Sequence, residues 1–168
     1  MITNNHFMKL ALRQAQLAFD NNEVPIGAVI VENKEVIASS FNKNITNFDP
    51  TAHCEIIAIR EACLQKKSPR LDNCDIYVTV EPCSMCFTAI SLARISRLFF
   101  GVNDQKFGAI SNNLSLFKNT QAYHKVEIYD GICALESKEL LQKFFQIKRS
   151  TNHGKVQQKN LSNFNPQN

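Results

Sequence analysis

Apolar residues along this chain change their period several times, and the changes mark out its elements. Phe7, Leu10, Ala11, Leu17 and Ala18 recur at helical spacing, which predicts an amphipathic helix over Asn5 to Asp20, ended by Asn21-Asn22. Pro25 to Val31 is apolar and rich in β-branched residues, and Asn33-Lys34 separates it from Val36 to Phe41, so two strands joined by a tight turn are expected. Ile76 to Val80 reads as a buried strand, Arg97 to Gly101 as a further one, and Val126 to Tyr129 as a short last strand ended by Asp130-Gly131. Between these runs, the segment opening at Glu55 with Ile56, Ile57 and Ile59 suits a helix with one buried side. Phe87, Ala89, Ile90, Leu92 and Ala93 suit another, with Arg94 at its basic end. A final helix, Leu135 to Arg149, sets Leu140, Leu141, Phe144 and Phe145 against Lys138, Lys143, Lys148 and Arg149. The polar stretch from Ser150 to Asn168 is expected to be a disordered tail.

Length and composition narrow this picture. A chain of 168 residues without a polar linker or an internal repeat is expected to form one domain, residues 1–149, burying roughly 70% of the surface its unfolded chain exposes. A formal net charge of +4 permits an anionic partner without requiring one. Met1 to Asp20 carries His6, Lys9 and Arg13 and lacks the long uncharged run of a secretory leader or membrane span, so no membrane association and a reducing, cytoplasmic setting are expected. The six cysteines are then metal ligands or core thiols rather than bridges.

Candidate chemistry begins at Thr51-Ala52-His53-Cys54-Glu55. Positions i and i+2 of a regular helix point roughly 200° apart, so His53 and Glu55 share a pocket only if His53 occupies the non-helical first position, as Asp49-Pro50-Thr51 suggests. The second stretch is Glu81-Pro82-Cys83-Ser84-Met85-Cys86. With Pro82 in the first turn of a helix, Cys83 and Cys86 lie at i and i+3 on one face, at an end whose partial positive charge favours thiolates. One imidazole and two thiolates make three ligands, and a tetrahedral zinc ion held by them keeps its fourth position for water, as catalytic sites do. Cys54, Cys63, Cys74 and Cys133 lack ligand spacing and are assigned to packing; His6, His124 and His153 are assigned to the surface or to satisfied core positions. Gly27 and Ala28 suit either close ligand approach or close helix packing. Asn42 suits either a turn or pairing with a base or sugar. The Val102 to Gly108 loop is either a solvated turn or, because it leaves the carboxyl end of a strand, part of a ligand site.

His53-Cys54-Glu55 followed by Pro82-Cys83-Ser84-Met85-Cys86 resembles, in order and spacing, the signature of the zinc-dependent cytidine and deoxycytidylate deaminase superfamily. A wider match, from about Phe7 to Arg149, resembles the bacterial tRNA-specific adenosine deaminases within it. It runs through Glu23 to Val29, Asn42, Asp49 to His53, Tyr77 to Cys83, Phe100-Gly101, Asp104-x-Lys106-x-Gly108 and Phe144-Phe145-x-x-x-Arg149. The resemblance implies a three-layer α/β/α fold, a mixed five-stranded sheet with helices on both faces. It implies one zinc ion per subunit on His53, Cys83 and Cys86, with Glu55 moving the proton, and hydrolysis of adenosine to inosine at the wobble position of a tRNA anticodon. It further implies that Asn42 holds the flipped base or its ribose, that Asp104 and Lys106 contact sugar and phosphate, and that Phe145 and Arg149 support flanking nucleotides. A homodimer touching the anticodon arm with both subunits, and no nucleotide cofactor, complete what it implies. Two residues depart from the family pattern: Cys54 stands where Ala is usual, and Phe107 replaces a smaller or polar residue. A free nucleobase deaminase acting on guanine or cytosine shares the metal chemistry, and a non-catalytic zinc module that binds RNA would need a fourth protein ligand closing the site.

Overall fold

In chain order the elements are α1 (Asn4–Asp20), β1 (Gly27–Glu32), β2 (Glu35–Phe41), α2 (Cys54–Lys66), β3 (Cys74–Val80), α3 (Ser84–Leu92), β4 (Arg97–Val102), β5 (Glu127–Tyr129) and α4 (Ala134–Ser162). They come from a computed structural model that describes residues 4–111 and 124–162, with side chains as far as Thr151. Asn33 and Lys34 both adopt positive φ, 50° and 68°, the backbone twist that a two-residue hairpin between β1 and β2 requires.

The five strands form one mixed sheet in the order β2-β1-β3-β4-β5, with β1 antiparallel to both neighbours and β3, β4 and β5 parallel. Every residue of β3 is buried, as befits a central strand covered on both faces. Alternation along the strands then sorts the core into two layers. Ile30, Ile76, Val78, Leu98 and Phe100 pack under α2 and α3, joined by Cys54, Ala58, Phe87 and Ile90. Val29, Val31, Tyr77 and Phe99 face the other way, against Phe7, Met8 and Ala11 of α1. On that face Tyr77, Phe99 and Tyr129 stack across three parallel strands, with ring centroids 4.5 and 4.8 Å apart. The expected three-layer architecture is therefore the observed one.

Packing settles several expectations. A Cβ on Gly27 would lie 2.2 Å from the Ala11 carbonyl oxygen and 2.5 Å from the Ala15 nitrogen, so the small residue there serves helix packing. Cys54 and Cys74 are fully buried, and Cys63 and Cys133 pack against the two core layers, as assigned. The buried stripe of α1 runs through Phe7, Met8, Ala11, Ala15 and Ala18, and Leu17 stays 44% exposed. His124 differs from expectation: among the described residues its buried Nε2 has no partner.

The last helix is longer than its periodicity suggests. It passes Arg149 and ends at Ser162, where the sequence leads one to expect a disordered tail, so the boundary at 149 falls inside α4. No proline interrupts this run. Residues 163–168 of that expected tail lie outside the described residues. Among the described residues, no helix is long and apolar enough to cross a membrane.

Candidate active site

Two helix N-termini meet at the carboxyl end of the parallel strands. The chain enters α2 through a turn in which Asp49 Oδ1 accepts bonds from the Thr51 amide and hydroxyl, both 2.7 Å. This leaves His53 extended at the N-cap, φ −72° and ψ 147°, which is the position that lets it share a pocket with Glu55. Cys83 occupies the N-cap of α3 in the same extended conformation, φ −72° and ψ 171°. Pro82 consequently sits just before the cap, rather than in the first turn as its sequence position suggests; its carbonyl accepts the Ala109 amide at 3.0 Å. Cys83 and Cys86 still share a face, since the N-cap and the third helical residue are neighbours.

The three donor atoms converge. His53 Nδ1 lies 3.4 Å from Cys86 Sγ and 3.8 Å from Cys83 Sγ, and all three lie within 4.8 Å of one another. A tetrahedral zinc ion with ordinary bond lengths sets nitrogen and sulfur about 3.6 Å apart and two sulfurs about 3.8 Å apart, so the group fits such an ion. No fourth His, Cys or carboxylate among the described residues joins this group. Without metal the thiols are unlike. A hydrogen bond from the Cys86 thiol, aided by His53 and opposed by burial, pushes the Cys83 thiol down to about 4. Cys86 is pushed up because it bonds the Cys83 thiolate and is buried. His53 is raised by its bond to Cys83.

Glu55, one residue into α2 and only 4% exposed, lines the same cleft as His53 and Cys83. Burial raises its carboxyl above the ordinary range, which suits a group that must both take and give a proton. The Cys54 thiol donates to Glu55 Oε2 at 3.1 Å. The Cys54 amide, an orphan donor of the first turn, is satisfied by Asn42 Oδ1 at 2.9 Å. Asn42 is thus a structural cap through its oxygen, while its amide nitrogen has no protein partner among the described residues, and the residue lines the cleft.

The cleft measures about 1330 Å³, above the usual range of small-molecule pockets, roughly 300–1,000 Å³. Asp104, Lys106, Phe107, Lys138 and Phe145 stand along it, so four of the five residues assigned to substrate contact line it: Asn42, Asp104, Lys106 and Phe145. Arg149 does not; it stands exposed on α4, one turn beyond Phe145. Asp104 Oδ1 accepts the amides of Lys106 and Phe107, at 2.9 and 3.1 Å, so this carboxylate also shapes its own loop. Two further acids border the cleft and carry no role in the sequence reading. Glu23, 1% exposed, accepts the Thr46 amide at 2.7 Å, and Glu81, 3% exposed, gathers four hydrogen bonds from the loop after β4. Glu23 follows Asn21-Asn22 and Glu81 follows the apolar run Ile76 to Val80; both fall within stretches that carry the family resemblance.

Residues 2–149 match the family model described as MafB19-like deaminase. A curated tRNA-specific adenosine deaminase of Rickettsia typhi is 49% identical over 146 residues, covering 86% of this chain and 99% of the relative. Among solved structures, one from studies of A-to-I editing by tRNA:A34 deaminases at the wobble position superposes with a TM-score of 0.79 and 46% identity, over 82% of this chain and all of that one. A guanine deaminase from Bacillus subtilis matches less of the chain, 61% of it and 66% of the other, with a TM-score of 0.58 and 38% identity. With the family model matched over residues 2–149, a relative 49% identical over nearly its whole length, and a fold that superposes on a tRNA:A34 deaminase structure, the chain belongs to the family of bacterial tRNA-specific adenosine deaminases.

Proposed function

We propose that this protein hydrolyses adenosine to inosine at position 34, the wobble position, of a tRNA anticodon, with one zinc ion per subunit held by His53, Cys83 and Cys86. The observation that carries the reading is the convergence of these donors beside a buried Glu55, at the wall of a cleft of about 1330 Å³. Zinc in this place would supply Lewis acidity to the attacking water. Glu55 takes one proton from that water and passes it to the adenine ring nitrogen beside C6, then takes the second from the hydroxyl now on C6 and gives it to the departing amine, so that water and adenosine yield inosine and ammonia. Two thiolates neutralise much of the dication's charge, which makes this neighbouring base the more important.

The wobble base must be splayed out of its loop to enter, which costs little where bases are already partly unstacked. Asn42 lines the cleft with its oxygen committed to α2, which leaves its amide nitrogen to donate to the flipped base or ribose. Asp104 and Lys106 contact the adjoining sugar and phosphate. Phe145 packs on a flanking nucleotide, and Arg149, beyond the cleft, reaches a more distant phosphate. The enzyme works in the cytoplasm as a homodimer without a nucleotide cofactor; sedimentation at micromolar concentration checks the dimer. The deciding experiment offers an anticodon-arm RNA carrying a wobble adenosine, beside free adenine, guanine and cytosine. Inosine in the RNA with the free bases untouched supports the reading. Turnover of guanine alone replaces it with a free-base deaminase, the function suggested by the shorter guanine deaminase match.

A further inference from the structure

Glu81 lies between the metal-ligating turn and the loop that crowns the cleft, and its carboxylate is saturated by that loop. Oε1 accepts the amides of Ile110 and Ser111 at 2.8 and 2.6 Å, and Oε2 accepts the Asp104 amide and the Ser111 hydroxyl at 2.9 and 2.7 Å. Both ends of the loop are therefore tied to one buried anion. Its inner edge rests on the ligand turn, where Gly108 pairs with Cys83 and Ala109 bonds the Pro82 carbonyl. There is no slack: a Cβ on Gly108 would lie 2.4 Å from Glu81 Oε2 and 2.4 Å from the Asp104 carbonyl oxygen. The crown left facing the cleft is Lys106 and Phe107, with the ammonium 4.9 Å from the ring centroid and the ring 60% exposed.

We infer that Glu81 is a positioning residue for RNA: by closing the 104–111 loop on one carboxylate, it holds Lys106 and Phe107 at a set height over the cleft without touching the reacting atoms. The inference rests on the proposed RNA substrate. A charged carboxylate is required because three of its four donors are backbone amides, which cannot reverse. In Glu81→Gln one oxygen becomes an NH2 group facing at least one of these amides, while only the Ser111 hydroxyl can turn to accept. An aromatic ring and a cation held in place this way offer a stacking surface and a phosphate contact to an unpaired nucleotide beside the target.

The test compares wild-type enzyme with Glu81→Gln, Gly108→Ala and Ser111→Ala for zinc content, amide exchange across residues 104–111 and steady-state kinetics on the anticodon-arm RNA. Loss of placement predicts unchanged zinc, faster exchange of the loop amides, and a fall in kcat/KM of about 10- to 100-fold carried by KM, with turnover at saturating RNA nearly retained. Gly108→Ala, which disturbs the carboxylate from the other side, shows the same split, and exposed Ser111→Ala shows it more weakly while sparing the fold. A loss of kcat with KM unchanged, or a lower melting temperature with both constants intact, overturns the inference. If wild-type enzyme makes no inosine, the RNA reading fails by itself, and the exchange profiles still decide whether Glu81 holds the loop.

Discussion

Replacing Glu55 by Gln separates what this residue does for chemistry from what it costs the fold. Gln keeps the side-chain volume and can still accept the Cys54 thiol bond, yet it cannot take a proton from water. General acid–base catalysis contributes about 10²- to 10⁴-fold, so kcat should fall by that factor, equivalent to about 3–5 kcal/mol of transition-state stabilisation. Zinc content should stay at the wild-type level, because Glu55 lies outside the donor group. Stability of the metal-free protein should move the other way. Burial raises the Glu55 carboxyl above its ordinary value of 4.5, so the native state holds this proton more tightly than the unfolded chain does. The resulting stability is fully present below pH 4.5 and is lost as pH rises through the folded value. The neutral amide removes that loss, so metal-free Glu55→Gln should melt at or above the wild-type temperature at pH 8 and show a flatter decline as pH rises above 4.5. The assay pairs single-turnover inosine formation with thermal melts of chelated protein across pH. Activity within threefold of wild type at full zinc occupancy would refute the proton-transfer role, and a lower melting temperature at pH 8 would refute the burial argument.

Zinc added to the metal-free protein at pH 7 should release at least one proton, because Cys86 is held protonated by the neighbouring Cys83 thiolate and must ionise to ligate; calorimetry in two buffers of different ionisation enthalpy measures this, and zero release counts against Cys86 as a ligand. Arg149→Ala should leave zinc unaffected while weakening RNA binding and reducing the slope of log K against log salt by about 0.7–0.9, read from titrations between 50 and 200 mM salt; an unchanged slope removes Arg149 from the contacts. Gly27→Ala forces a methyl group against the backbone of α1 and should cost about 1–3 kcal/mol in urea unfolding, whereas wild-type stability would show that α1 can shift outward freely.

The elements and the clustered His53, Cys83 and Cys86 were legible because their signals are local. Periodicity separates the strands of the sheet from α1, α2 and α3, and two neighbouring positive-φ residues at Asn33-Lys34 close a hairpin by steric preference alone. His53, Cys83, Cys86 and Glu55 stand out by residue type and spacing, since few side chains ligate zinc or move protons near neutral pH. Arg149, by contrast, follows Phe145 by one helical turn yet stands outside the cleft, and α4 runs past the point where its apolar stripe ends.

What tertiary structure alone decided is how residues of distant segments are held. Asn42 caps Cys54 twelve positions away, Glu23 ties down Thr46, and Glu81 gathers a loop about thirty residues further on. In each case backbone amides are the partners, with the Ser111 hydroxyl added at Glu81. Nearly every residue carries an identical amide, so no pattern of side chains marks which will be chosen; the choice follows from which loop the packed sheet brings within reach of a buried oxygen.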